Sequence, residues 1–176
     1  MRQRTVLIAN LHPGLRLDRR SVERTVHALD RHRKDLALPG PVLPGPGDIS
    51  LVFMTDEALA DLHGRFLGDP SPTDVITFPA PEDSSSPVTG EICISADAAG
   101  RQTGKGGSFS RELALYLVHG WLHLAGHGDL EPARRRLMRR AETRALGMLD
   151  REDALPHFSR RAYSRQKVRA VPGNRG

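Results

Sequence analysis

The sequence predicts an α+β fold: a small, mostly four-stranded mixed sheet packed against helices, one of which is a metal-binding helix. Three observations predict it. Four apolar runs of strand length are separated by stretches with helical period. The order of these runs lacks the strict strand-helix alternation that an all-parallel sheet demands. At 176 residues, 38% hydrophobic and 27% charged, the chain has room for one ordinary domain with some residues left over. Residues 1–150 are expected to form that domain, and residues 151–176 a basic, disordered tail.

Each element has a local reason. Residues 5–9 (TVLIA) read as a short buried strand. Asp18 or Ser21 can cap a helix running to about Lys34, with Val22, Val26 and Leu29 on one face. Residues 38–48 are a Pro/Gly loop. Residues 49–54 (ISLVFM) form a second strand. Thr55 then caps a helix with Ala58, Leu59, Leu62 and Phe66 as its apolar stripe, and Gly68 ends it. Residues 74–78 (DVITF) and 91–95 (EICIS) are the third and fourth strands, separated by a polar loop. A short helix follows from Asp97, and residues 103–108 are a connector. Ser110 is placed to cap a long helix that stops near Gly126. Pro132 suits the first turn of a last helix, to about Leu146.

Composition excludes several classes. A lone cysteine, Cys93, permits neither an internal disulfide nor a Cys-rich zinc site, and a reducing compartment fits best. No apolar run approaches the ~20 residues that span a bilayer. The start of the chain carries no cleavage-like site, so neither a membrane nor a signal peptide is expected. The net charge of +5 lies wholly in residues 151–176, while residues 1–150 are balanced. A basic tail on a neutral body suits a polyanion partner.

The chemistry is concentrated between His119 and Asp129 (HGWLHLAGHGD). His119 and His123 are four apart, so a helix stacks their rings on one face and offers two imidazoles to one metal ion. Gly126 can end that helix in a left-handed turn and bring a third ligand back beside the pair. Asp129 and His127 compete for the third place. A continued helix would set His119 and His127 about 12 Å apart along the axis. Asp129 completes the known three-ligand zinc spacing H-x3-H-x2-G-x2-D and is preferred, with His127 the alternative. The remaining histidines, His12, His27, His32, His63 and His157, are expected at the surface.

These segments resemble the YbeY family, metal-dependent endoribonucleases and rRNA maturation factors of bacteria. His119, Gly120, Leu122, His123, Leu124 and Gly126 match its H-G-x-L-H-L-x-G motif. Residues 72–79 (PTDVITFP) are similar to its P-T-D-V-L-S-F-P, residues 90–95 (GEICIS) to its G-D-I-x-I-S strand, and Arg111-Glu112-Leu113 to its R-E-L helix start. The resemblance covers residues 5–147. Departures are specific. The family's final His is Asp129 here, and its preceding Tyr-Asp is His127-Gly128. Its Asn, Tyr and Arg correspond to His63, Phe66 and Leu67, with Arg65 in an adjacent turn.

The resemblance implies a cytoplasmic enzyme that hydrolyses phosphodiester bonds of single-stranded RNA. Its role would be rRNA maturation, including the 3′ end of 16S rRNA, and ribosome quality control at the small subunit. One Zn²⁺ per chain would be held by His119, His123 and Asp129 with a position left open, acidifying a water and polarising a phosphoryl oxygen. Thr73 and Asp74 would line the cleft or, as an equal reading, cap the turn before the third strand; the family's Arg role would be absent or met by Arg65 reaching in from an adjacent turn. Two rival readings stand beside it. A zinc peptidase shares the ligand spacing but needs a glutamate where Gly120 stands. A non-catalytic ribosome assembly factor would use its metal only to hold the fold. For other residues the bland reading leads: Arg111 and Glu112 as helix-end and surface charges, Cys93 as a small buried hydrophobe, Trp121 as a core anchor.

Overall fold

The computed structural model describes residues 4–36, 38, 47–80, 88–103 and 106–161. Parallel pairing begins with β1 (Val6–Asn10) against β3 (Asp48–Met54). Then β3 pairs in parallel with β5 (Val88–Ser95), and β4 (Val75–Pro79) closes the edge antiparallel to β5. The sheet is therefore four-stranded and mixed, in the order β1-β3-β5-β4. The expected fold class holds.

Period-2 alternation divides the sheet into two faces. Ile49, Leu51, Phe53, Ile92 and Ile94 face the larger core, together with α1 (Arg19–Arg31), α4 (Ala96–Thr103) and α5 (Phe109–Leu124). Met54, Ile76 and Cys93 face the other side, where Leu59 of α3 (Asp56–Leu67) covers them. Helix α6 (Pro132–Arg151) packs on the far side of α5 from the sheet. Helix α5 thus lies between sheet and α6, with Leu113, Leu117, Trp121 and Leu122 fully buried.

Several predicted boundaries hold for their stated reasons. Asp18 caps α1, accepting from the Arg20 amide; Thr55 caps α3, accepting from the Ala58 amide. Gly68 ends α3 at φ 71°, and Pro132 sits in the first turn of α6. Others move. Helix α1 stops at Arg31, and a separate turn, α2 (Arg33–Leu36), follows it. Helix α6 runs past Leu146 to Arg151. Ser108, not Ser110, caps α5, accepting from the Arg111 amide. Most of the loops 38–48 and 80–89 lies outside the described residues.

Ser110 is occupied elsewhere, and this corrects the expected tail. Its hydroxyl donates to the Pro156 carbonyl at 2.9 Å and accepts from the Phe158 amide at 3.0 Å. Ser21 accepts from the His157 amide at 2.9 Å, and Thr25 donates to the Ala154 carbonyl at 2.6 Å. Three hydroxyls of α1 and α5 thus hold residues 154–158. The chain then forms β6 (Phe158–Arg160), antiparallel to β2 (Leu15–Leu17), two strands too short to show a period. Ala154 and Phe158 are buried, and the Phe158 ring lies 5.4 Å from that of Phe53. Residues 151–161 therefore belong to the folded unit. The rest of the expected tail, 162–176, lies outside the described residues.

The histidines also need correction. His12, expected at the surface, is 3% exposed and pairs through Nε2 with Asp97 Oδ1 at 3.3 Å; its Nδ1 accepts from the Gly14 amide. A buried carboxylate beside it repays the loss of water, a pairing no sequence period reports. His27 is half-buried against the Arg4 carbonyl, and His127 is 6% exposed. His157 is exposed. Among the described residues, no helix is long and apolar enough to cross a membrane.

Candidate metal centre

Helix α5 carries the site on the flank beside its sheet-facing side. Gly120 marks the sheet side: a Cβ there would overlap Ile92 Cγ2 and lie 3.1 Å from Val75 Cγ1. The glycine lets the helix seat on β4 and β5, and it turns His119 and His123 toward α6. A glutamate at 120, which the peptidase reading needs, would be driven into the sheet.

The helix ends as the glycine requires. Gly126 adopts φ 93°; its amide donates to the His123 carbonyl at 3.0 Å, and the His127 amide reaches back to the Leu122 carbonyl at 3.0 Å. This pair of hydrogen bonds is the Schellman closure, which reverses the chain just past the second histidine. The reversal brings Asp129 back over the ring pair. Its carboxylate Oδ2 lies 3.6 Å from His119 Nε2 and 3.8 Å from His123 Nε2, and the two Nε2 atoms are 2.9 Å apart. All three donor atoms fall within 4.8 Å of one another. Arg135 holds the returning loop, donating from Nε to the Asp129 carbonyl at 3.0 Å and from Nη2 to that of Leu130 at 3.3 Å.

The hydrogen bonds behind the rings decide their tautomers. His119 Nδ1 meets Glu142 Oε1 at 2.6 Å, and His123 Nδ1 meets the His127 carbonyl at 2.9 Å. Both partners accept, so both Nδ1 atoms carry hydrogen and both Nε2 atoms present lone pairs. Two lone pairs at that separation repel unless a cation or a proton lies between them. Ligand bonds of 2.0–2.1 Å at tetrahedral angles put neighbouring donors about 3.3 Å apart, and the three observed separations straddle that value. Donor chemistry and spacing both fit a divalent cation.

Electrostatics separate the two rings. Burial resists protonation of His119, but the hydrogen bond and charge of Glu142, with the charges of Asp74 and Asp129, outweigh it and raise its pKa. Burial and the neighbouring charge of His119 lower that of His123. Burial and the charges of Glu112 and Asp74 also raise the phenol of Tyr116 well above its ordinary range. The charge of Asp74 thus acts on both Tyr116 and His119.

Not every predicted site residue joins this group. His127 turns its ring away: Nε2 meets the Leu36 carbonyl at 2.7 Å, while its buried Nδ1 has no hydrogen-bond partner among the described residues. Thr73 and Asp74 form the turn before β4, with Asp74 Oδ1 accepting from the Val75 amide at 3.0 Å. Asp74 also acts on His119 through its charge. Arg65 pairs with Asp61 at 3.1 Å on the exposed face of α3, and His63 meets the Ser71 carbonyl at 3.1 Å. The Leu67 side chain lies outside the described residues. Arg111 is exposed, 3.9 Å from Asp150. Trp121 is a core anchor, donating from Nε1 to Asp30 at 3.2 Å. Glu142 and Arg135 are the two participants that motif spacing does not reach. The signal in the sequence is that Glu142 is the sole acid between residues 132 and 149.

Comparison with known proteins bears on family and fold. The family model described as Endoribonuclease YbeY matches residues 14–150. A relative of that name from Chlamydia pneumoniae is 37% identical over 142 residues, covering 77% of this chain and 84% of its own length. One from Chlamydia abortus is 40% identical over 114 residues, covering 61% and 72%. One from Frankia casuarinae is 33% identical over 118 residues, covering 60% and 59%. A solution structure from Thermotoga maritima shares the fold with a TM-score of 0.51 at 22% identity, covering 84% of this chain and 95% of that one. With the family model spanning most of its length, the chain belongs to the YbeY family of endoribonucleases.

Proposed function

We propose that the protein is a metal-dependent endoribonuclease specific for single-stranded RNA, and that His119, His123 and Asp129 hold one Zn²⁺. The observation that carries the reading is the pair of Nε2 lone pairs held face to face beside a carboxylate. When bound, the ion supplies Lewis acidity, polarising a phosphoryl oxygen and making water a better nucleophile. Glu142 fixes the His119 tautomer and orientation, and the His127 carbonyl does the same for His123. Asp129 contributes negative charge, which makes the centre a weaker Lewis acid than three imidazoles would.

Accessibility supports catalysis over a purely structural metal. The side chains of His119, His123 and Asp129 are 19%, 24% and 38% exposed, so a substrate can approach them. Three donors also leave a fourth tetrahedral position for a reacting group. In the cell we place the enzyme in the cytoplasm, in rRNA maturation at the small ribosomal subunit, including the 3′ end of 16S rRNA, and in ribosome quality control. Family membership supports that role.

The test uses single-stranded and duplex RNA of equal length, with and without added Zn²⁺, for the native chain and His123→Ala. Metal-dependent cleavage of the single strand alone, abolished in the variant, is expected. Metal-dependent cleavage of casein with RNA left intact would overturn the reading.

A further inference from the structure

Charge is unevenly distributed over the folded unit. Helix α6 carries seven arginines against Glu142 and Asp150. Glu142 is committed to His119, and Asp150 lies near Arg111. Among the described residues, no carboxylate lies within ion-pair distance of any α6 arginine. The overall balance of residues 1–150 conceals this segregation, which folding places on one helix.

The helix also sorts these arginines by side. Met138, Ala141, Ala145 and Leu149 are buried against the body. Arg136, Arg140 and Arg144 recur every four residues on the opposite, exposed side, a row about 12 Å long. Arg139 is one turn before Glu142 and shares its flank, the one facing His119. An open depression of ≈ 470 Å³ is lined by Arg139, Arg140, Thr143 and Arg144. Like charges at this spacing cost a helix a little stability per pair, which an anionic partner would offset. Arg144 also donates to the Asp35 carbonyl at 2.8 Å.

Guanidinium groups match phosphate oxygens with a planar fork. A row of them suits a flexible chain of phosphates. A lipid surface also carries phosphates, but insertion needs apolar side chains between the charges. Thr143 and Gly147 fill that place here, with Leu137 at the edge. Adjacency to His119 favours the polymer further. We infer that Arg136, Arg139, Arg140 and Arg144 of α6 form a docking surface for the phosphate backbone of single-stranded RNA and hold the strand beside His119 and His123. The identity of the polymer rests on the ribonuclease reading above.

The test measures binding of a labelled single-stranded RNA at several salt concentrations, in full-length His123→Ala so that the RNA stays intact. Adding Arg136→Gln, Arg139→Gln and Arg140→Gln should lower the slope of log K against log salt by about 2, at about 0.7 per lost phosphate contact. With binding at 1 M salt unchanged, that is about a hundredfold loss at 0.1 M. Lysine at the same three positions should retain the native slope. A control with Arg16, Arg20 and Arg24 changed to Gln removes equal charge from α1 and its approach and should leave the slope nearly intact. Equal losses in control and test variants would overturn the proposal, because net charge alone would explain them. Native binding to anionic vesicles with none to RNA would also overturn it, in favour of a lipid surface. Hydrolysis by the native chain tests the ribonuclease reading separately, so the two can fail independently.

Discussion

Glu142 Oε1 stands 2.6 Å from His119 Nδ1 and ties α6 to the ligand flank of α5. The bond holds the His119 Nε2 lone pair toward His123 and Asp129. Partners of this kind typically contribute 10- to 100-fold to metal affinity. Glu142→Gln should weaken Zn²⁺ binding by about that factor, measured by competition with a chromogenic chelator. Unchanged affinity would remove Glu142 from the site.

Asp129 and His127 give opposite expectations. Asp129→Ala should lose metal by elemental analysis while the fold persists, because Asp129 is partly exposed and its side chain closes no core. His127→Ala should keep its metal but melt earlier, because it deletes a buried ring and its bond to the Leu36 carbonyl. The destabilisation expected is about 1–3 kcal/mol. Metal loss confined to His127→Ala would reverse the assignment.

Gly120 is constrained by the sheet. Gly120→Ala forces a methyl group into Ile92 and should cost about 1–3 kcal/mol by denaturant unfolding. Gly120→Glu should fail to fold rather than acquire peptidase activity. A stable Gly120→Glu variant would show that α5 can move away from β5.

Removal of residues 151–176 should unfold or severely weaken the protein. The cut takes away Ala154, Phe158 and β6, and leaves Ser21, Thr25 and Ser110 without the partners described above. Phe158→Ala alone should cost about 3–5 kcal/mol. A chain ending at Arg161 retains every contact named above and should melt well above the chain ending at Asp150. Calorimetry of the two truncations distinguishes these outcomes.

Cys93 is 1% exposed, and burial, with the charge of nearby Glu91, pushes its thiol up to about 12. Iodoacetamide at pH 8 should leave the native chain unmodified and label the unfolded one. The sign for stability follows. Above pH 9 the unfolded chain releases the thiol proton and the folded chain keeps it, so this group's contribution to stability declines as pH rises. Rapid labelling of native protein would contradict the buried position.

The sequence by itself determined the histidine pair, the four strands of the main sheet and several helix ends. Each rests on an interval of a few residues: four between His119 and His123, two along the strands, a cap at Thr55, a left-handed turn at Gly126. Local geometry acts over such distances, so a linear reading reaches it. Only the tertiary structure decided which group joins the pair and what supports it. Gly126 permits a reversal, but the bonds of Arg135 to the loop and of His127 to Leu36 settle that the carboxylate of Asp129, and not the His127 ring, comes back over His119. Glu142 is 23 residues from its partner, and His12 is 85 from Asp97. Serines that read as caps instead anchor residues 156–158. A hydroxyl carries the same local signal whether its partner is three residues away or more than a hundred. The arginine row follows the same logic: summed over residues 1–150 its charge cancels, and only packing of the buried side of α6 leaves it facing outward together.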